Sequence, residues 1–558
     1  VENHLENKES MTKDQKRTFS ILGLIGLFYF CLFIVPNLTG AKDAVMLSVF
    51  QQDEFAEYPF VLRMLTSDLS FYQTLRYFII YLFYYYGYPF FFFSALAILP
   101  IKWILGPDWV LQTQWIVLVL RQCVNVLPAI LAAGFLVFMQ TRFRSTWKSV
   151  ILFLVLLIFP PLVFNNLWWH PDGLLLLFAT LTLFFLTKDN FRFGRNFFLA
   201  AFFTGLTVST KLLGVFFFLS VAVYLVWGLW QRKLTFKKAI LMGLAYIGVM
   251  FVTILLSNPV LLLPIERGEV FAAYRSGFTQ LSLGFYERSS GWIKWIDFLP
   301  LFWKSYGQWY FLVFIFGLSL ISVIKNKNRL FTVLYLCWFV ANTVYLTFFT
   351  SVMKNYYMLA SILPLLSSLN LLLDAPEELK NSGVSVTRRK KTLVQMIVVL
   401  GLFLFAWQAY LYIRHDLAMG IAQIQREKNS SNIQFFNSLD EKVFLKIPAT
   451  ISLRIYRDWR AYVEPRPNWT IEYDWNFAHY DYIRDLNPDV IILEYENVHY
   501  FASPTLLENA LDREKAEKRF AFYRDAELED IEGYTLAFKD GFGYAFLRDD
   551  FYKMHFLE

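Results

Sequence analysis

The chain has 558 residues, 57% of them hydrophobic and 17% charged, with a formal net charge of +7. A soluble domain carries about 25% charged residues, so this deficit excludes an ordinary soluble globule and predicts a membrane protein. The positive charges fall in short clusters between apolar runs, where they set orientation and leave no nucleic-acid footprint. Cys31, Cys123 and Cys337 all lie inside apolar runs and build neither a disulfide framework nor a zinc spacing.

Residues 1–18 are polar, and the apolar run 19–37 is long enough to span and lacks a small-residue cleavage site. It is therefore expected to stay as a first span. The acidic segment Gln52-Asp53-Glu54-Phe55-Ala56-Glu57-Tyr58 follows in a loop of about 38–113. Within that loop, 77–105 is apolar enough to cross, but a single crossing would put every later basic cluster on the wrong side. The tyrosines at 77, 81, 84, 85, 86 and 88 favour juxtamembrane or re-entrant helices at the outer interface, with a two-pass hairpin as the alternative. Further apolar runs recur at 114–140, 149–167, 171–187, 197–210, 212–230, 239–257, 301–323, 330–350, 356–373 and 393–413. Each meets or approaches the ~20 residues that a membrane helix needs. Basic clusters around Lys16, Arg144, Arg192, Lys237, Lys327 and Arg389 are placed on the cytoplasmic side. The predicted fold is then an all-α polytopic membrane protein of about eleven spans, N-terminus inside and C-terminus outside. The stretch 374–392 reads as a polar cytoplasmic loop. From 414 to 558 charge returns at ordinary density and Val490-Ile-Ile-Leu493 reads as a strand, so a small α/β extracytoplasmic domain is expected there, after a membrane domain over 1–413.

The candidate chemistry sits at outer ends of spans. If 52–58 is helical, Asp53 and Glu57 share a face. A carboxylate there can take the proton from an attacking hydroxyl or amine; the plainer reading is a solvated loop. In His170-Pro171-Asp172, Asp172 opens a span and either caps that helix or faces an outer cavity with His170. A single His-x-Asp is a weak metal pattern. Lys211 interrupts an apolar stretch at an outer hairpin and suits a lipid phosphate, against plain snorkelling. Arg121 can be read the same way. Lys354, followed by Tyr356 and Tyr357, is either a phosphate contact or an interfacial anchor. In the loop 258–300, Arg275 and Arg288 could grip a phosphate or sugar. No phosphate loop, dinucleotide glycine motif or nucleophilic-serine elbow is present.

These residues resemble those of the C-fold (GT-C) glycosyltransferases that use polyprenyl-phosphate sugars, similar to the protein O-mannosyltransferases and the lipid A aminoarabinose transferases. The likeness covers most of 15–375 and is mainly one of layout. Asp53-Glu54-x-x-x-Tyr58 looks like the family's acidic motif in the first outer loop, and Gly87-Tyr-Pro89-Phe-Phe like its aromatic-proline helix. Arg121 through Pro128, Asp172, Lys211 after Gly205-Leu-Thr-Val-Ser-Thr210, and Lys354-Asn-Tyr-Tyr357 match further segments, with stretched spacing at the first and Tyr356 in place of the usual arginine at the last. The resemblance implies a hexosyl- or pentosyltransferase that moves a sugar from a polyprenyl-phosphate donor to a glycan, lipid or protein acceptor on the outer face of the inner membrane. Asp53 would be the base, supported by Glu54 and Asp172. Lys211, Arg121, Arg275 and Lys354 would hold the donor phosphate, and His170, Glu57, Tyr58 and Tyr357 would line the substrate cavity. No cofactor is certain; a divalent metal stays open, with His170, Asp172 and Glu54 as the only nearby candidates. The competing readings are a transporter or flippase of lipid-linked sugars, which should show inverted repeats and midplane charges, and a non-catalytic envelope assembly subunit.

Overall fold

A computed structural model describes residues 11–66, 70–284, 286, 300, 302–325, 327–350, 354, 356–381 and 388–557. Arg288 lies outside them. Thr12 opens the first helix, Lys13–Leu32, with a reciprocal capping box to Gln15. Among the described residues, seven helical stretches are long and apolar enough to cross a membrane by length and composition: Lys13–Leu38, Tyr88–Leu111, Thr113–Thr141, Leu212–Trp230, Phe236–Ser257, Arg329–Phe349 and Gln395–Lys446. The chain is an integral membrane protein, mostly helical, with a small C-terminal sheet.

Four expectations meet a different outcome. The run 149–167 is not one helix; it breaks into Thr146–Leu157 and Pro160–Asn165. Pro160 and Pro161 lack the donor that an uninterrupted helix needs, and they suit a first turn instead. The segment 77–105 divides at Ile80. A short helix, Phe71–Ile79, ends there, and a new helix starts at Tyr88 and runs on as a stretch long enough to cross. Tyr81 and Tyr84 in the connecting turn are buried against the protein. The polar stretch from 374 begins as the continuation of the helix Asn370–Asn381. Finally, the helix expected over 393–413 is Arg388–Asn429, 42 residues long. At ~1.5 Å per residue it is roughly twice as long as the hydrocarbon layer is thick. It therefore runs through 414 without a break and leads into the sheet-bearing part.

That part holds five strands, β1 (Leu453–Arg457), β2 (Trp469–Glu472), β3 (Val490–Glu494), β4 (Tyr534–Lys539) and β5 (Gly543–Arg548), in the order β2-β1-β3-β5-β4. β1 is parallel to both β2 and β3; β5 is antiparallel to β3 and β4. Every residue of β3 is buried, which is why it reads as an unbroken apolar run rather than an alternating one. The sheet does not pack alone. Met46, from the short helix Ala44–Phe50, joins the core formed by Phe435, Phe436 and Leu453. Buried Arg457, at the end of β1, donates to Ser48 Oγ at 2.9 Å and to the carbonyls of Trp459 and Ala461. The segment after the first helix and the C-terminal part thus share one core.

Candidate functional site

The acidic segment folds as the helix Gln52–Met64, with Asp53 and Glu54 in its first turn, where the helix dipole favours negative charge. Its three acids have three different surroundings. Asp53 keeps 44% of its side chain exposed and lines a cavity of about 1670 Å³. Glu54 is fully buried and grips Arg121 with both oxygens, Nε to Oε1 at 2.7 Å and Nη2 to Oε2 at 2.5 Å. It also accepts from the Trp169 backbone N–H at 2.5 Å. Arg121 spends another donor on the Asn37 carbonyl at 2.8 Å and sits at the start of a π-helical stretch, Arg121–Val126. The donor-phosphate position expected for Arg121 is therefore not where the structure puts it. Its guanidinium is fully enclosed and committed to Glu54, because a buried charge needs a charged partner.

Glu57 is buried, and neither of its oxygens has a hydrogen-bond partner among the described residues. It does not line the cavity. Burial, with Asp53 and Glu54 nearby, pushes its carboxyl well above the usual carboxylate range. An acid held neutral in the fold contributes stability that is complete below its unfolded value of 4.5 and is lost as pH rises above it. Glu57→Gln is therefore expected to unfold at a higher temperature than the parent at neutral pH. The gap should close as the medium is acidified towards pH 4.5, which a pH series of thermal unfolding checks.

On the other side of Asp53, His170 is completely buried and stacks on Trp168, with ring centroids 4.1 Å apart. Its Nδ1 contacts Asp172 Oδ2, and its Nε2 lies 2.8 Å from the Tyr86 hydroxyl and 4.0 Å from Asp53 Oδ2. Burial lowers the His170 pKa, favouring a neutral ring. A neutral ring carries a single N–H, so one nitrogen faces Asp172 and the other faces the Tyr86 hydroxyl with only one of them as donor. Asn125 fixes the His170 backbone from both sides, at 3.0 and 3.2 Å.

Lys211 completes the group. The helix Arg195–Thr210 stops at Thr210, Lys211 is extended, and a 3-10 turn, Leu212–Phe217, follows. The break turns the ammonium inward, where it meets Asp172 Oδ2 at 2.8 Å and lies over the rings of Tyr356 (4.8 Å), Tyr357 (5.6 Å) and Tyr86 (5.9 Å). Three aromatic faces and one carboxylate hold this cation, and 12% of its side chain stays open. Gly87 makes the arrangement feasible: a Cβ there would overlap the Ser209 carbonyl oxygen, so only glycine lets Tyr86 approach this break.

Asp53, Lys211, Lys354 and Tyr357 thus face one cavity, with His170 and Asp172 directly behind them. Tyr58 and Arg275 do not join them. Tyr58 is buried in the core around Val61 and Phe91. Arg275 is exposed on the helix Pro264–Leu283, whose neighbours Tyr274 and Gly277 line the cavity instead. Tyr86, Tyr356 and Asn125 carry weight here without having been singled out as site residues. A tyrosine among many, or an asparagine inside an apolar run, gives no local signal of its partners.

The metal question can be put to the side chains themselves. Glu54 is spent on Arg121, and both His170 nitrogens and Asp172 are engaged with one another, Tyr86 and Lys211. Among the described residues no group of three or more His, Cys, Asp or Glu is arranged to hold a metal. These residues do not fit a divalent ion; the Lys211 ammonium occupies the cationic position beside Asp172.

No family model matches the sequence, and no curated protein matches it. Among solved structures the chain is similar to ArnT from Cupriavidus metallidurans bound to undecaprenyl phosphate, with 12% identity and a TM-score of 0.48, over 95% of this chain and 97% of that one. It is also similar to the oligosaccharyltransferase AglB from Archaeoglobus fulgidus in complex with an inhibitory peptide and a dolichol-phosphate, with 12% identity and a TM-score of 0.44, over 91% and 72%. An Archaeoglobus fulgidus oligosaccharyltransferase in complex with Zn and sulfate gives a TM-score of 0.43 at 12% identity, over 88% and 70%. At this identity, and with TM-scores under 0.5, what the site does is argued from its own residues.

Proposed function

We propose that the protein transfers a sugar from a polyprenyl-phosphate donor to an acceptor on the outer face of a cell membrane, within a fold of about eleven spans oriented with its tail outside. The observation that carries this reading is the shared cavity. A half-exposed carboxylate, Asp53, and a caged cation, Lys211, face the same space. Part of its wall is apolar and comes from helices long enough to span: Val215 and Phe216 from one, Tyr345 and Leu346 from another. A lipid-borne phosphate can reach Lys211 along that wall while a water-borne acceptor approaches Asp53.

The chemistry follows from the two groups. The acceptor hydroxyl or amine gives its proton to Asp53 as its lone pair attacks the anomeric carbon. The bond from that carbon to the phosphate oxygen breaks, and the electron pair leaves with the polyprenyl phosphate. The charge that builds on the phosphate meets the Lys211 ammonium, with Lys354 as a second cation at the rim. Asp172 and the tyrosine rings keep the ammonium in place before the donor arrives, so little reorganisation is needed. His170 passes the position of Asp172 to Tyr86 through its two nitrogens and acts as a spacer in this scheme. The sequence carries no nucleotide-binding motif, which agrees with a lipid-phosphate donor.

Lys211→Ala is the direct test of donor binding. A hydrogen bond to a charged group contributes ~1.5–3 kcal/mol, so affinity for undecaprenyl phosphate should fall by about 10–100-fold. Titration of the protein in nanodiscs measures it; unchanged affinity removes the role given to Lys211.

A further inference from the structure

The cavity that Asp53 faces has a second chemical wall, built by the C-terminal sheet. Strand order β2-β1-β3 places β1 in the middle of three parallel strands, with the chain moving to one side for β2 and to the other for β3. In open α/β sheets such a reversal leaves a crevice beyond the carboxyl ends of the two diverging strands, and ligands bind there. The crevice here lies beyond Arg457 of β1 and Glu494 of β3. The residues that follow these two strand ends, Trp459 and Arg460 after one, Glu496 and Asn497 after the other, line the same cavity as Asp53 and Lys211. The crevice therefore belongs to that cavity.

Its floor is organised. Buried Asp458 accepts from the Tyr523 hydroxyl at 2.6 Å and from the Glu494 N–H at 3.0 Å. Asn497 donates its amide to Asp458 Oδ2 at 3.3 Å and to Glu494 Oε2 at 3.0 Å. With its N–H groups spent on these carboxyls, Asn497 has a carbonyl oxygen left to accept a hydroxyl. On the same cavity, Trp475 keeps 45% of its surface exposed although three rings hold it: Trp459 at 5.8 Å, Tyr473 at 5.4 Å and Phe55 at 5.5 Å. Phe55 lies on the helix Gln52–Met64, two residues after Asp53. The platform therefore touches the element that carries the proposed base.

We propose that this carboxyl edge is the acceptor subsite and that the acceptor is a carbohydrate, its ring stacked on Trp475 and its hydroxyls shared among Asn497, Glu496 and Arg460. A pyranose shows one apolar C–H face and a rim of hydroxyls. An exposed indole held by three rings, with an amide, a carboxylate and a guanidinium lining the same cavity, complements both. One cation opposed by one anion suits a neutral sugar better than a phosphorylated one. The inference rests on the transferase reading for the word acceptor; the saccharide site itself is tested separately.

Saturation-transfer NMR on the full chain in nanodiscs, with methyl glycosides of glucose, galactose and mannose and with maltotriose as probes, reads that site. At least one probe should receive saturation at its ring C–H protons. Trp475→Ala should weaken it about tenfold, and Trp475→Phe should restore most of it. Undecaprenyl phosphate binding should be the same in all three proteins, which shows that the fold survives. The glycoside signal should also persist in Lys211→Ala. No signal from any probe, or a signal that Trp475→Ala leaves intact, overturns the inference. A Trp475-dependent signal in a protein that ignores undecaprenyl phosphate upholds the saccharide site and defeats the transferase reading instead.

Discussion

Asp53→Asn is expected to lower sugar transfer by about 10²–10⁴-fold while leaving insertion, folding and undecaprenyl phosphate binding as they are. The amide has nearly the shape of the carboxylate, and the Asp53 side chain is 44% exposed, so no buried partner is stranded by the change. What is lost is the oxygen that accepts the acceptor's proton. Transfer from a radiolabelled polyprenyl-phosphate sugar to acceptor, measured at saturating donor, separates this from a binding defect. The companion change Glu57→Gln, one turn along the same helix, should leave transfer within a few-fold of the parent, since an acid already held neutral gives up no charge. Full transfer activity in Asp53→Asn would remove Asp53 as the base, and no transfer by the parent itself would return the protein to the reading of a non-catalytic assembly subunit.

The second large effect is on stability. Arg121→Met should destabilise the folded protein by ~3–5 kcal/mol, because it leaves Glu54 charged, enclosed and without its guanidinium. Glu54 joins helix Gln52–Met64 to Arg121 and to the Trp169 N–H, so the loss is felt in three segments together. In the double variant Glu54→Gln/Arg121→Met the stranded charge is gone, and a glutamine carbonyl can still accept from Trp169. It should recover most of the lost stability. Thermal unfolding midpoints of the two variants and the parent decide it. If the single variant matches the parent, the pair is a bystander, and Arg121 returns to consideration as a donor contact.

The two predictions treat neighbouring acids in opposite ways, and the sequence offers no basis for that. Asp53 and Glu54 are adjacent, equally charged and equally suited to act as a base. The turn of the helix decides between them. One side chain faces the cavity; the other faces Arg121, which lies 67 positions away in the chain. Arg121 and Lys211 are likewise alike in sequence, each a single cation in an apolar stretch. The break after Thr210 presents Lys211 to the cavity, while the π-helical stretch holds Arg121 inside.

What the sequence determined by itself is what depends on composition and on periodicity within a segment. The charge deficit and the apolar runs specify a membrane protein, because hydrocarbon admits only helices or closed barrels and both leave a length signature. The buried strand Val490–Glu494 and the cost of placing Lys211 in an apolar stretch are legible for the same local reason. Tertiary structure alone decided which acid meets water, which cation is spent on a partner, that Tyr86 and Tyr356 cage Lys211, and that Trp475 stands beside the helix of Asp53. In a chain that is 20% aromatic, no single ring announces its role. Contacts between residues hundreds of positions apart are set by how helices and sheet pack, and a local pattern holds no record of that packing.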